Sequence, residues 1–172
     1  MKTLLLGLMI LGLTCQAAEA TCQRNTTDFN YPSQRLDEAI QQLAHSTGCP
    51  VTVDLARFAD RKVPALHGRY TPEEALWQLI KGTGLEGYPT AEGLEANTRE
   101  QDAVGVRAKA VRNLINANNG SITKAKQKHY EQQIKEVETS AADLARQQGF
   151  ISAGERSSFH RSLDGMLNEL KR

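Results

Sequence analysis

Four histidines, His45, His67, His129 and His160, are the side chains in this chain best suited to metal binding or acid–base work. No two of them stand at the close helical spacing that lets one metal ion take both. Glu73 and Glu74 form a carboxylate pair of the kind used in glycosidic hydrolysis, but they fall in the first turn of a helix, where capping and the helix dipole account for them. Ser157, Ser158, His160 and Asp164 hold the letters of a hydrolytic triad. On one rigid helix, a nucleophile, a base and its orienting carboxylate cannot converge, so His160 and Asp164 read as an i,i+4 surface contact. Lys124, Lys126 and Lys128 alternate along a helix and point to different sides, which describes a solvated surface, and no glycine-rich phosphate loop occurs. The residue types therefore predict no catalytic site, no cofactor and no metal.

The elements that would position a site begin after an N-terminal leader. Lys2 precedes an apolar run from Leu4 to Leu13, followed by the small-residue pattern Ala18-Glu19-Ala20, which reads as a secretory signal peptide over residues 1–20. A run of about 10 apolar residues falls short of the roughly 20 that a spanning helix needs, so no membrane span is expected in the mature chain. About 150 residues remain, enough for one ordinary domain or two small ones. Cys22 and Cys49 are the two cysteines beyond the leader, and an even pair in an exported chain argues for a disulfide. Closing a loop of about 27 residues would contribute about 3 to 4 kcal/mol in the chain-entropy model.

Charge divides the chain. Residues 21–100 carry eight Lys and Arg against eleven Asp and Glu, whereas residues 101–172 carry twelve against eight. The shift places a boundary near Glu100, giving domains at 21–99 and 100–172. Neither half is basic or aromatic enough to form a nucleic-acid surface.

The first half contains a repeat. Glu38-Ala39-Ile40-Gln41-Gln42-Leu43-Ala44-His45-Ser46-Thr47-Gly48 aligns with Glu74-Ala75-Leu76-Trp77-Gln78-Leu79-Ile80-Lys81-Gly82-Thr83-Gly84. Each copy predicts an amphipathic helix with a Thr-Gly exit. Extended segments are expected at Phe29–Tyr31 and Val51–Leu55 around the first helix, and at Val63–Tyr70 and Leu85–Tyr88 around the second. Thr71, Pro72 and Glu74 supply the second helix with an N-cap, a proline at its first position and a capping box. The last hairpin, "LEGYPTAEGLEANTRE", is poor in β-branched residues, so its final strand is expected to be short or frayed.

With these residues on the page, a resemblance can be stated. The run "FNYPSQRLDEAIQQLAHSTGCPVTVD" followed by "KVPALHGRYTPEEALWQLIKGTGL" resembles the secretin and TonB N-terminus short (STN) domain. The matching positions are Leu36, Ala39, Leu43 and Gly48, then Leu66, Gly68, Tyr70 and Thr71, then Glu74, Ala75, Leu76, Leu79, Gly82, Thr83, Gly84 and Leu85. The resemblance covers about residues 28–97. It implies a small periplasmic module of two strand-helix-strand units that works by protein contact, relaying a signal to an anti-sigma regulator or meeting a secretin or receptor component. No barrel or secretin pattern follows it here.

From Gln101 onward the apolar residues fall into three heptad stripes: Val104, Ala108, Val111 and Ile115; Tyr130, Ile134, Val137, Ala141 and Leu144; Phe159, Leu163, Met166 and Leu170. Breaks at Asn116–Gly120 and Gly149–Gly154 separate three helices, with Phe150 and Ile151 expected to close the end of their core. The fold class is thus α+β, an STN-like domain followed by an all-α hairpin or three-helix bundle.

Trp77, the only tryptophan, corresponds to Gln41 in the first copy. Either it covers the neighbouring strand or the C-terminal helices, or it is an exposed anchor of the kind enriched in binding hot spots. The second alternative gives a candidate interaction surface with Trp77 and Tyr70 as anchors and Arg69 and Lys81 at the rim. The expected function is a non-enzymatic periplasmic interaction module, with outer-membrane association as a further option. The alternative is a helical oligomeriser or secretin assembly factor, in which the helical half joins copies of the chain.

Overall fold

The computed structural model describes Cys22 and residues 24–172. The leader expected over residues 1–20 lies outside the described residues. The chain is α+β, with small sheets in its first half followed by helices.

The first half opens with β1 (Thr27–Tyr31) and β2 (Gln34–Arg35), then α1 (Leu36–Thr47), β3 (Val51–Val53) and a single turn, α2 (Leu55–Phe58). It continues with β4 (Lys62–Val63), β5 (Leu66–Tyr70), α3 (Pro72–Ile80), β6 (Glu86–Pro89) and β7 (Leu94–Asn97). β1 is antiparallel to β5, and β2 is antiparallel to β4 in the same register, Thr27 facing Tyr70 and Gln34 facing Val63. The two pairs form one ribbon, interrupted where Pro32 and Ser33 stand on one strand and Pro64 and Ala65 on the other. A proline has no N–H to give the ladder, so the strand expected over Val63–Tyr70 is split there. Ser33 Oγ bridges the gap by donating to the Val63 carbonyl at 2.7 Å.

The second sheet has the order β3–β7–β6, with β3 parallel and β6 antiparallel to β7. The strand expected to be short or frayed is short, at four residues, yet it is the central strand. Leu94 and Ala96 are buried while Glu95 and Asn97 are half-buried, so two ladders and one apolar face outweigh weak intrinsic propensity. The extended segment expected over Val51–Leu55 ends at Val53. The Asp54 carbonyl accepts from the N–H groups of Arg57 and Phe58, which turns Leu55 into α2 and delivers Phe58 to the core.

The repeat holds in three dimensions. α1 and α3 pack on each other; their preceding strands β1 and β5 are paired, and their following strands β3 and β6 flank β7. Ala39, Ile40 and Leu43 on α1 and Ala75, Leu76, Leu79 and Ile80 on α3 form one buried cluster. Each Thr-Gly exit places a buried threonine hydroxyl between a helix carbonyl and the N–H two residues on. Thr47 donates to Leu43 O at 2.7 Å and accepts from Cys49 N at 3.2 Å; Thr83 donates to Ile80 O at 2.6 Å and accepts from Leu85 N at 3.1 Å. Cys22 and Cys49 are bonded, which ties the start of the described chain to the strand after α1.

The second half is a three-helix bundle of α4 (Arg99–Ala117), α5 (Lys124–Gln148) and α6 (Ala153–Leu170). The first stripe is fully buried, and Tyr130, Ile134, Ala141, Leu163, Met166 and Leu170 meet it, with Val137, Leu144 and Phe159 at the margin. Asn119 meets Gln127 and Arg112 meets Glu138, so α5 runs back along α4, as a short connection requires. Ile151 closes this core as expected, but Phe150 does not belong to it. Among the described residues, no helix is long and apolar enough to cross a membrane.

Candidate functional site

The four candidate surface residues fall in two places. Arg69 is exposed near the end of β5, opposite Asp28 on β1. Tyr70 is half-buried; its ring lies 6.5 Å from that of Phe29, and its hydroxyl donates to the His67 carbonyl at 3.4 Å. These two residues belong to the β1–β5 ribbon. The ribbon buries Phe29, Tyr31 and Leu66 on its inner side and exposes Asp28, Asn30, His67 and Arg69. His67 Nδ1 and Asn30 Oδ1 are 2.7 Å apart across the two strands. Among the described residues neither β1 nor β5 has a second strand neighbour.

Trp77 and Lys81 belong to α3. Lys81 is half-buried and its ammonium donates to Gln78 Oε1 at 2.7 Å. The anchor reading of Trp77 is corrected by its surroundings. Its ring lies on Phe150 with centroids 4.4 Å apart, and its Nε1–H donates to the Gly87 carbonyl at 2.9 Å. Of the two alternatives, the indole thus covers the neighbouring strand and the C-terminal helices together. The correspondence with Gln41 is correct as to fold, and Gln41 is exposed, but only the second unit carries the helical half.

Two backbone–backbone hydrogen bonds and one from a side chain join the halves at this point. Gly87 N donates to Gly149 O at 2.7 Å and Gly82 N to Arg146 O at 2.9 Å, while the Gln101 side chain donates to Gly84 O at 2.9 Å. Gly149 ends α5 at φ 80°, and a Cβ there would stand 2.6 Å from the Trp77 carbonyl oxygen. A Cβ at Gly87 would lie 2.9 Å from the Trp77 ring, so glycine is needed at 149 against the Trp77 backbone and at 87 against its ring.

Glu86 is the residue that sequence reasoning missed. It is fully buried, yet its carboxylate accepts from Glu100 N at 3.0 Å, from Gln101 N and Gln101 Nε2 at 2.9 Å each, and from the Tyr88 hydroxyl at 2.8 Å. A strand of the first half therefore caps the N-terminus of α4, where unpaired N–H groups and the helix dipole favour a negative charge. Burial, together with the bond to Glu86, pushes the Tyr88 hydroxyl far above its ordinary range. Nearby, Glu100 is held by Arg156 at 3.1 Å. The one available signal was a lone carboxylate in the apolar segment Gly84-Leu85-Glu86-Gly87-Tyr88, at the position that Pro50 takes in the first copy.

The remaining chemical candidates are dispersed. Thr71 and Glu74 form the expected capping box, and its bonds from Thr71 hold the Glu74 carboxyl below its ordinary range. Burial raises that of Glu73. Asp164 does not meet His160 as expected; it pairs with Arg107 on α4, since the ion pair offers a full opposite charge. His160 Nε2 is buried without a hydrogen-bond partner among the described residues. Among the described residues no group of three His, Cys, Asp or Glu stands close enough to hold a metal ion. Comparison with family models, curated proteins and solved structures finds no match to this chain.

Proposed function

We propose that the mature chain is a non-enzymatic protein-interaction module of the bacterial periplasm. Its partner is a periplasmic or outer-membrane protein, in the manner of an anti-sigma regulator or a secretin or receptor component. One observation carries this reading: the β1–β5 ribbon turns Asp28, Asn30, His67 and Arg69 outward, and both of its strands lack a second neighbour among the described residues. Unpaired strand edges offer a row of N–H and C=O groups to an incoming chain, and the side chains beside them supply selectivity. The STN-like positions Leu36, Ala39, Leu43, Ala75, Leu76 and Leu79 are all core, which leaves the outward ribbon free to vary toward a partner. Tyr70, rooted on Phe29, and Arg69 remain in the proposed surface; Trp77 leaves it.

The oligomeriser reading has Val106 in its favour, 71% exposed on α4. Against it, the three apolar stripes that would join copies face one another inside the bundle.

The test is a photo-crosslinking amino acid placed at position 69 in the full chain, expressed in the periplasm, with position 128 on α5 as the comparison. Discrete adducts at 69 and none at 128 support the reading. Adducts confined to 128, or the same adducts in an Arg69→Glu, His67→Glu background probed at Asn30, overturn it.

A further inference from the structure

β3 is an unguarded edge of the second sheet. The Leu94 N–H donates to the Pro50 carbonyl at 2.9 Å, and the parallel register sets Val51 against Leu94 and Val53 against Ala96. Thr52 therefore turns its N–H and C=O toward β7. Val51 and Val53 turn theirs outward, where β3 has no strand neighbour among the described residues. Natural edge strands keep other chains off with charged residues or proline. β1 and β5 carry Asp28 and Arg69, but Val51-Thr52-Val53 carries neither device. The repeat sets this edge apart. Gly87, which corresponds to Val51, has the same outward pair, and both of its groups are taken: its N–H donates to Gly149 O at 2.7 Å and its C=O accepts from Trp77 Nε1 at 2.9 Å. The helical half sits on that β6 edge, across the sheet from β3. Apolar surface lies at both ends of the open edge. Two large apolar side chains are exposed among the described residues, and one of them, Leu55 at 38%, stands two residues beyond β3. At the strand's other end, Ala44, Gly48 and Pro50 line an open groove of about 860 Å³ together with Glu38, Gln41 and His45.

We propose that two copies of this chain join β3 to β3, antiparallel about a two-fold axis at Thr52, so that their sheets run together and Leu55 of each copy enters the groove of the other. Val51 of each copy then lies opposite Val53 of the second, and each such pair exchanges both of its N–H···O bonds. The axis reverses the strand, so the Leu55 end of one copy falls beside the Gly48–Pro50 end of the other. It reverses α1 as well, which brings the Glu38 end of one groove toward the His45 end of the other; a carboxylate faces an imidazole, and like charges do not meet. A two-fold contact needs one self-complementary patch, and a single copy holds both halves of it: an uncharged edge, and an apolar side chain with a groove to receive it. This interface uses neither the β1–β5 ribbon nor the helical half, so it can fail while the proposed function stands, and the reverse.

Analytical ultracentrifugation of the full chain purified from the periplasm, beside its Leu55→Asp and Val106→Asp variants, tests this. Both side chains are exposed, so neither change touches a core, and Val106 on α4 serves as the comparison. The unaltered chain is expected to dimerise with a Kd below about 1 mM. Leu55→Asp is expected to weaken the dimer about ten-fold or more, and Val106→Asp to leave it unchanged. Register is read separately. Thr52→Cys puts a thiol on the axis, in a cross-strand pair without direct hydrogen bonds, where Cα atoms stand about 4.5 Å apart and a disulfide can close. Oxidation is expected to give a covalent dimer with Thr52→Cys and none with Val106→Cys. A chain that stays monomeric at about 1 mM overturns the proposal and leaves the edge to a strand of a different protein. A dimer that Leu55→Asp does not weaken, or one that cross-links through position 106 and not through 52, overturns it as well.

Discussion

Glu86 Oε1 receives both the backbone N–H and the side-chain amide of Gln101, each at 2.9 Å, so that a strand residue of the first half completes the first turn of a helix in the second. An N-cap normally comes from the residue just before the helix, and Thr98, which occupies that place, makes no capping bond to α4. Asn97 Oδ1 accepts from the Arg99 N–H at 3.0 Å, and the next two N–H groups are capped across the fold by Glu86. It fixes the direction in which the bundle leaves the sheet.

Glu86→Ala is expected to destabilise the chain by about 3 kcal/mol, because it strands one buried and one part-buried backbone donor. Glu86→Gln keeps one carbonyl oxygen and should lose clearly less. Urea unfolding with a shared slope for the three proteins checks the order, and equal losses for both variants would contradict the capping role.

Trp77→Gln, a replacement that the first repeat unit tolerates at Gln41, is expected to lower stability by about 2 kcal/mol through the lost Nε1–H bond and the lost ring contact. A double-mutant cycle with Phe150→Leu should return a coupling of about 0.5 to 1.5 kcal/mol. Additive losses would mean that the two rings are neighbours without energetic connection.

Reduction of the Cys22–Cys49 bond, or the double change Cys22→Ser with Cys49→Ser, should cost about 3 to 4 kcal/mol in the chain-entropy model. Thermal melts with and without reductant measure it. The loss should appear in the first half before the bundle, because the bond closes a loop that contains β1 and α1 alone among the major elements.

Acid should weaken the bundle. Arg112 bonds both oxygens of Glu138 at 2.8 Å and holds that carboxyl below its ordinary range. A carboxyl with a lowered folded-state pKa stabilises fully above its unfolded value, roughly 4.3, and the contribution disappears as the pH falls through the folded value. Unfolding free energies from pH 6 to pH 3 should therefore fall more steeply in the unaltered chain than in Arg112→Met. Parallel curves would remove the pair from the acid response.

The sequence by itself was enough for the parts governed by neighbours in the chain. The 36-residue offset between Ala39 and Ala75 and between Thr47 and Thr83 fixed two equivalent helices with equivalent exits, because stripe, cap and stop are local and each is written in the residue types. The stripe from Val104 to Ile115 likewise named its own buried face. Even the broken ribbon was legible in hindsight, since Pro32 and Pro64 each remove a ladder donor whatever surrounds them.

Only the tertiary structure decided where polar groups far apart in sequence meet. β7 is poor in strand-forming residues and is nevertheless central, because β3 and β6 saturate both its edges. Trp77 and Gln41 stand at the same place in two copies of one unit, but Phe150 covers Trp77 while Gln41 is exposed among the described residues. Glu86 is buried because the N-terminus of α4 arrives to give its carboxyl group hydrogen-bond partners. Periodicity records which side of an element is apolar; it holds no record of which distant N–H, carbonyl or ring will come to rest against it, since that depends on the relative placement of whole elements and on the free energy of every contact that forms together.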